Sequence, residues 1–206
     1  SLAVEEQFYI FFPIILILFW NYGQKQMLIF LSIMLFVSLA LAHFGANNSP
    51  SASFYLLPTR GWELLTGSFL AFYLNNKKPQ NSYFSKEILS ILGLSMIVIS
   101  VSIFDESTPF PSLYTLIPVL GTALLIIFAV PQTSLHYLLS FKPLVGIGLI
   151  SYSAYLWHQP LLAFAKHRLF DEVSEILLLN LCFISLILAW FTWKFIEKPF
   201  RNQLFL

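Results

Sequence analysis

The sequence has few charged residues, which make up only 10% of its 206 positions, whereas roughly 25% is usual for a soluble globular domain. The formal net charge of +1 argues against a nucleic acid or another polyanion as a partner of the chain as a whole. One cysteine, Cys182, excludes an internal disulfide and a metal cage of several cysteines. Hydrophobic residues account for 58% of the chain, including 22 phenylalanines. This composition predicts an integral membrane protein.

Seven apolar runs approach the ~20 residues that a helix needs to cross a bilayer. The first and third runs are short, and charged residues stand directly before or at the start of each. We interpret both as helices that include those charged residues and so reach spanning length. Turn-rich polar connectors separate the runs, and no internal repeat is visible. The predicted fold class is all-α, a single polytopic transmembrane helix bundle of about seven spanning helices over residues 1–206. The runs are 8–20, 27–44, 61–74, 88–104, 113–130, 144–164 and 176–196.

Basic residues are distributed unequally between the two sides of this topology. Eight basic residues lie on the side opposite the N-terminus, and three lie on the N-terminal side. Because basic residues are enriched in cytoplasmic loops, we predict that the side with eight, which also holds the C-terminus, faces the cytoplasm. The eight are Lys25, Lys77, Lys78, Lys86, Lys142, Lys194, Lys198 and Arg201, and the three are Arg60, Lys166 and Arg168.

Three polar clusters interrupt the apolar sequence. They contain Glu5 with Glu6, Arg60 with Glu63, and His158. An ionised group toward the bilayer interior costs ~2.5 to 3.5 kcal/mol on insertion scales, so such groups usually have a partner or a function. The seven-helix topology puts all three clusters near the N-terminal side, which predicts one polar cavity entered from the extracytoplasmic half.

Helical spacing gives each cluster a local geometry. Arg60, Glu63 and Gly67 lie at i, i+3 and i+7, so the two charged groups can pair while the glycine admits a neighbouring helix or a substrate. The second set, Ser151, Tyr155 and His158, also shares one face. Pro160 then predicts a bend that exposes the Leu156 carbonyl beside the histidine.

Each cluster also has a simpler interpretation. The pair of Arg60 and Glu63 equally fits a structural ion pair between helices. Glu5 and Glu6 fit solvated residues at a helix N-terminus, where negative charge complements the helix dipole. His158 fits a hydrogen-bonded interior histidine. The remaining residues fit interface, loop or headgroup positions: His43, His136, His167, Lys194, Glu197, Lys198 and Arg201.

Four segments resemble, in the same order, motifs of the membrane-bound acyltransferase 3 family, the O-acetyltransferases of bacterial cell-surface sugars. SLAVEEQFYIFFP is similar to the family's W-S-L-x-x-E-x-x-F-Y-x-x-x-P segment. FYLLPTRGWELLTGSFLA resembles its Thr-Arg and Trp-Glu pattern, ISYSAYLWHQPLL its Tyr-Leu-x-His-x-Pro helix, and FIEKPFR its closing Glu-x-Pro-x-Arg. The resemblance covers most of the chain.

The resemblance implies transfer of an acetyl or other short acyl group from acyl-CoA to a hydroxyl of a glycan or lipid-linked sugar at the bacterial inner (plasma) membrane. It implies catalytic roles for Glu5, Arg60, Glu63 and His158, and no metal. Acetyl-CoA would be the donor substrate, with no bound cofactor. We expect substrate contacts from Tyr55, Ser151, Tyr152 and Tyr155. Acceptor identity, acyl length, oligomeric state and any downstream soluble domain stay open.

One departure from the family pattern is large. The family's domain has helices before the W-S-L segment, and its best-known catalytic element there is an arginine followed by a histidine. Residues 1–206 contain no counterpart of that element, so we expect the C-terminal part of the domain, inactive alone. Two alternatives from other classes are a non-catalytic membrane remnant and a secondary transporter, which commonly shows inverted repeats.

Overall fold

The computed structural model of the chain describes residues 2–76, 82–105, 108–168 and 175–203. Within these ranges it contains ten α-helices, a 3₁₀ turn at Leu113–Thr115, a π-helix at Trp193–Glu197 and no β-strand, which confirms the all-α prediction. Lys77 and Lys78, which entered the prediction of orientation, lie outside the described residues. The helices are α1 (Leu2–Trp20), α2 (Gln24–Asn48), α3 (Pro50–Tyr55), α4 (Leu57–Asn76), α5 (Tyr83–Ile103), α6 (Leu116–Phe128), α7 (Ser134–Leu139), α8 (Lys142–Arg168), α9 (Glu175–Thr192) and α10 (Lys198–Gln203).

The two short apolar runs belong to longer helices, as predicted. Helix α1 has 19 residues and includes Glu5 and Glu6, and α4 has 20 residues and includes Arg60 and Glu63. At a rise of ~1.5 Å per residue, each is about 30 Å long, close to the thickness of a hydrocarbon core. The charged groups are therefore parts of helices of spanning length.

Four helices in the described part of the chain are long and apolar enough to cross a membrane: Leu2–Trp20, Gln24–Ala46, Tyr83–Ile103 and Ile176–Phe200. The predicted count of seven spans is not confirmed. Helices α4 and α8 are long enough but carry the polar residues singled out above, while α6 has only 13 residues. Many large apolar side chains on the long helices are exposed, as a lipid-facing surface requires.

The chain divides into two compact units, residues 1–136 and residues 137–206. In the first unit, α1, α2 and α4 pack around Met27, Leu31 and Leu65, with phenylalanines from all three helices against them. The backbone N–H of Trp62 donates to the buried Ser38 hydroxyl at 3.0 Å, which ties α4 to α2. This packing holds the polar beginning of α4 against its neighbours.

Helices α5 and α6 cross at two glycines in the same unit. A Cβ built on Gly93 would lie 2.7 Å from the Gly121 carbonyl oxygen, and one built on Gly121 would lie 2.7 Å from the Gly93 carbonyl oxygen. In a bilayer the hydrophobic effect does not drive helices together, because lipid tails are as apolar as the side chains. Close backbone approach through small residues is a common way for such helices to associate. This crossing fixes α6, which lies beside α4.

In the second unit, α8 packs against α9 and the π-helix. The indole N–H of Trp157 donates to the Thr192 hydroxyl at 2.9 Å, and the buried Ser153 hydroxyl donates to Glu197 at 3.2 Å. Glu197 is thus hydrogen-bonded within the unit, and its position at the cytoplasmic headgroups stays a prediction. Lys194 lies over the Trp190 ring at 4.6 Å.

Candidate functional site

Arg60 and Glu63 form a two-point ion pair on α4. The Arg60 Nη2 and Nε atoms donate to the two Glu63 carboxylate oxygens at 2.8 and 3.3 Å. Both side chains are largely buried, with 12% and 19% of their surface exposed. The predicted pairing is confirmed, and the planar guanidinium is held in one orientation by the paired carboxylate.

Two phenylalanine rings also hold the Arg60 guanidinium. Its central carbon lies 5.4 Å from the Phe54 ring centre and 5.0 Å from the Phe110 ring centre. Such contacts contribute ~0.5 to 1 kcal/mol at exposed sites and about 2 kcal/mol when desolvated. Sequence analysis did not identify either ring. Phe54 is close to Arg60 in the sequence and could have been proposed as a contact. Phe110 is distant in the sequence and reaches Arg60 only through the tertiary fold.

A compact turn positions Phe110. The Ser112 hydroxyl accepts from the Tyr114 N–H at 3.3 Å and donates to the Pro109 carbonyl at 2.6 Å. The Thr115 hydroxyl accepts from the Ser112 N–H at 3.0 Å, which completes a capping box at the start of the 3₁₀ turn. Both hydroxyl-bearing residues are buried. The turn therefore presents Phe110 from a fixed backbone.

Gln7 of α1 holds the junction between α3 and α4. Its Nε2 donates to the Tyr55 carbonyl at 3.3 Å, and its Oε1 accepts from the Leu57 N–H at 3.1 Å. The Leu57 N–H is one of the donors that a helix start leaves unsatisfied, so the glutamine acts as a cap from another helix. The Thr59 hydroxyl lies 2.7 Å from the Ser53 carbonyl and stabilises the same junction. No motif in the sequence indicated this role of Gln7.

Glu5 is half-buried, and Glu6 is exposed. Glu5 precedes Gln7 by two positions, which separates their side chains by about 200° around the helix. The glutamine therefore faces the start of α4, while Glu5 lies on the other flank of α1. The predicted meeting of Glu5 with the Arg60–Glu63 pair stays a prediction. The Tyr55 ring, a predicted substrate contact, is 56% exposed.

A cleft of about 250 Å³ lies between α4 and α6, next to the ion pair. Glu63 lines it, together with two threonines, Thr66 and Thr122, and with Gly67. A Cβ built on Gly67 would meet no atom within 4 Å. In the part of the chain that the structure describes, no neighbouring helix packs directly against this glycine, and the predicted approach of a substrate stays a prediction.

In the second unit, α8 carries the remaining predicted residues. The His158 Nδ1 lies 3.2 Å from the Ala154 carbonyl oxygen, and its ring centre lies 5.5 Å from that of Tyr155. The predicted shared face is confirmed for these two rings. The Ser151 hydroxyl donates to the Gly148 carbonyl of its own helix at 2.7 Å, and Tyr152 is half-exposed.

Helix α8 continues through Pro160. The bend and the exposed Leu156 carbonyl stay predictions. Glu5, Arg60 and Glu63 lie in the first unit and His158 in the second, so the single shared cavity also stays a prediction. Within the described residues, no group of three or more His, Cys, Asp or Glu side chains is arranged to hold a metal ion.

The chain is similar to known proteins along its whole length. The family model described as "Acyltransferase domain" matches residues 1–194. Peptidoglycan O-acetyltransferase OatA of Listeria monocytogenes is 32% identical over 228 aligned residues, which cover 100% of this chain and 35% of that protein. The putative peptidoglycan O-acetyltransferase YrhL of Bacillus subtilis is 30% identical, covering 98% of this chain and 34% of that protein.

A putative O-acetyltransferase of Staphylococcus aureus is 28% identical, covering 98% of this chain and 36% of that protein. The chain thus spans about a third of the length of the curated relatives it matches. No solved structure matches it.

Proposed function

Because this chain belongs to the acyltransferase 3 family, we propose that it serves membrane O-acyl transfer, moving an acetyl group from acetyl-CoA to a hydroxyl of a cell-surface glycan. Two relatives are named for O-acetylation of peptidoglycan, which supports a glycan acceptor. We place the protein in the bacterial inner membrane with its C-terminus in the cytoplasm, on the distribution of basic residues.

The observation that carries this proposal is the fixed Arg60 guanidinium. The ion pair uses Nε and Nη2, and within the described residues Nη1 makes no hydrogen bond. Two rings and a carboxylate hold the group, so its remaining N–H donors have a defined direction before any substrate binds. Donors preorganised in this way stabilise the negative oxygen that develops when a hydroxyl attacks an acyl carbonyl.

The other roles follow from the needs of the reaction. A sugar hydroxyl is a weak nucleophile at neutral pH and needs a positioned base. The family resemblance assigns that base to a histidine that residues 1–206 do not contain, and we propose that Glu5 orients it. Glu63 holds Arg60, which stabilises the oxyanion or binds the donor phosphates. His158 and Tyr155 are proposed to hydrogen-bond the acceptor or the tetrahedral intermediate.

Alanine substitution in the full-length protein tests the proposal. Arg60→Ala is expected to reduce glycan O-acetylation in membranes by about tenfold or more, because it removes an oxyanion donor. The matched control is Lys25→Ala, which removes an exposed basic residue from the first turn of α2. Membrane insertion and a monodisperse gel-filtration profile in detergent establish folding. Activity near wild type in a folded Arg60→Ala protein would overturn the role of the guanidinium. Glu5→Ala and His158→Ala are tested in the same way.

A further inference from the structure

The mainly apolar cleft between α4 and α6 has three polar side chains in its lining, Glu63, Thr66 and Thr122. The Thr66 hydroxyl donates to the Trp62 carbonyl at 2.8 Å, and the Thr122 hydroxyl donates to the Pro118 carbonyl at 2.8 Å. A hydroxyl has one hydrogen and two lone pairs, so both threonines offer the cleft acceptor capacity. An ionised Glu63 is also an acceptor only. A complementary ligand must therefore donate hydrogen bonds.

Gly67 gives the cleft its open floor. The residue is exposed and lines the cleft, and apart from its chain neighbours and the backbone of its own helix no atom lies within 4 Å of the position that a Cβ would occupy. The other lining residues are apolar or contribute no ionisable group: Leu70, Pro118, Val119, Ala123 and Ile126. A ligand with an apolar face and hydroxyl edges, such as a sugar ring, matches this combination.

Charge at the cleft bears on which substrate it binds. Of the residues that line the cleft, Glu63 is the ionisable one, and the Arg60 guanidinium balances its charge. None of the lining residues is a cation that would pair with the phosphate groups of coenzyme A, whereas a neutral sugar needs no such counter-charge. Glu63 also links the cleft to Arg60, so a hydroxyl bound at this end lies next to the proposed oxyanion donor.

We propose that the α4–α6 cleft is the subsite that binds the sugar acceptor, with its hydroxyl groups donating to Glu63, Thr66 and Thr122. This proposal rests on the proposed O-acyl transfer and assigns the acceptor side of that reaction to a defined surface of the first unit.

Thiol protection tests the subsite without requiring catalysis. In full-length protein with Cys182→Ser and any other cysteine replaced, Gly67→Cys places a thiol on the cleft floor, where the structure leaves room for it. The probe is the neutral disaccharide of N-acetylglucosamine, with coenzyme A as the second arm. Gly146→Cys on α8 is the matched control, because that glycine is also exposed with no atom within 4 Å.

We expect disaccharide at ten times its dissociation constant to slow maleimide labelling of the introduced thiol about tenfold, in line with site occupancy. Labelling in the Gly146→Cys protein is expected to stay unchanged. Protection by coenzyme A and not by the disaccharide would overturn the proposal, as would equal labelling rates with and without either probe.

Kinetics provide the second measurement. Thr66→Val and Thr122→Val each remove one acceptor while keeping the side-chain shape, so we expect the KM for the sugar to rise about five- to tenfold with the KM for acetyl-CoA unchanged. A rise confined to the acetyl-CoA KM would assign the cleft to the donor and refute the proposal. Absence of transfer in full-length protein that still shows disaccharide protection would refute the proposed function alone. Normal transfer without protection would refute the subsite alone.

Discussion

Gln7 offers the sharpest test of how the site is held. Its side-chain amide bonds both the last carbonyl of α3 and the first N–H of α4, at 3.3 and 3.1 Å. Gln7→Leu removes both hydrogen bonds at similar side-chain volume, and an ionised Gln7→Glu side chain keeps only the acceptor for the Leu57 N–H. Arg60 and Glu63 lie in the first two turns of α4, so their positions depend on this junction.

The size of the effect follows from the two bonds. Each typical intramolecular hydrogen bond contributes ~0.5 to 1.5 kcal/mol, so Gln7→Leu is expected to lower the free energy of unfolding by about 1 to 3 kcal/mol. When its carboxyl group is protonated, the Gln7→Glu side chain can donate to the Tyr55 carbonyl and accept from the Leu57 N–H, so the free energy of unfolding is expected to lie close to that of wild type. When ionised, its second oxygen faces the Tyr55 carbonyl without a hydrogen between them, and the loss approaches that of Gln7→Leu.

Hydrogen exchange reports the junction directly. In detergent, we expect the Leu57 amide hydrogen to exchange roughly fivefold faster, or more, in the Gln7→Leu protein than in wild type. This factor corresponds to a loss of about 1 kcal/mol in the free energy of local opening. The matched control is Gln26→Leu, the same substitution at an exposed glutamine in the first turn of α2. Unchanged Leu57 exchange together with an unchanged unfolding free energy would refute the assignment of Gln7 as a cap.

Two further predictions concern the ion pair and the helix crossing. Arg60→Lys keeps the positive charge but loses the planar two-point bond to Glu63, so we expect at least about a tenfold loss of O-acetyl transfer in full-length protein; wild-type transfer would show that charge alone suffices. Gly121→Ala forces its new methyl group against the Gly93 carbonyl and is expected to cost about 1 to 3 kcal/mol in unfolding free energy. Gly148→Ala, where a Cβ meets nothing within 4 Å, is the control, and equal stabilities of the two variants would contradict the close crossing.

The fold could be predicted from the sequence where apolar runs determine helices. Each of the seven runs lies wholly or mostly in helical structure, and the polar beginnings of α1 and α4 are helical as expected. The fifth run yields a helix of only 13 residues after a 3₁₀ turn, because the chain leaves the α conformation at Ala129 before Pro131. Helices α3 and α7 lie in segments whose composition indicates turns, and each has only 6 residues.

The site could be predicted only as far as local spacing reaches. The pair of Arg60 and Glu63 follows from an i, i+3 relation on one helix, and the contact of Tyr155 with His158 follows in the same way. Phe110 over the guanidinium depends on the packing of distant segments. Such contacts leave no periodic signal in the sequence, and neither does the glutamine cap.

The break between α3 and α4 determines how Phe54 reaches the Arg60 guanidinium. Leu56 alone is extended between the two helices, so the hexapeptide before it folds back over the first turn of α4. Phe54 therefore reaches Arg60 from a miniature helix outside the long bundle helices. Substitutions in that hexapeptide can therefore change the surroundings of the guanidinium while the long helices keep their packing.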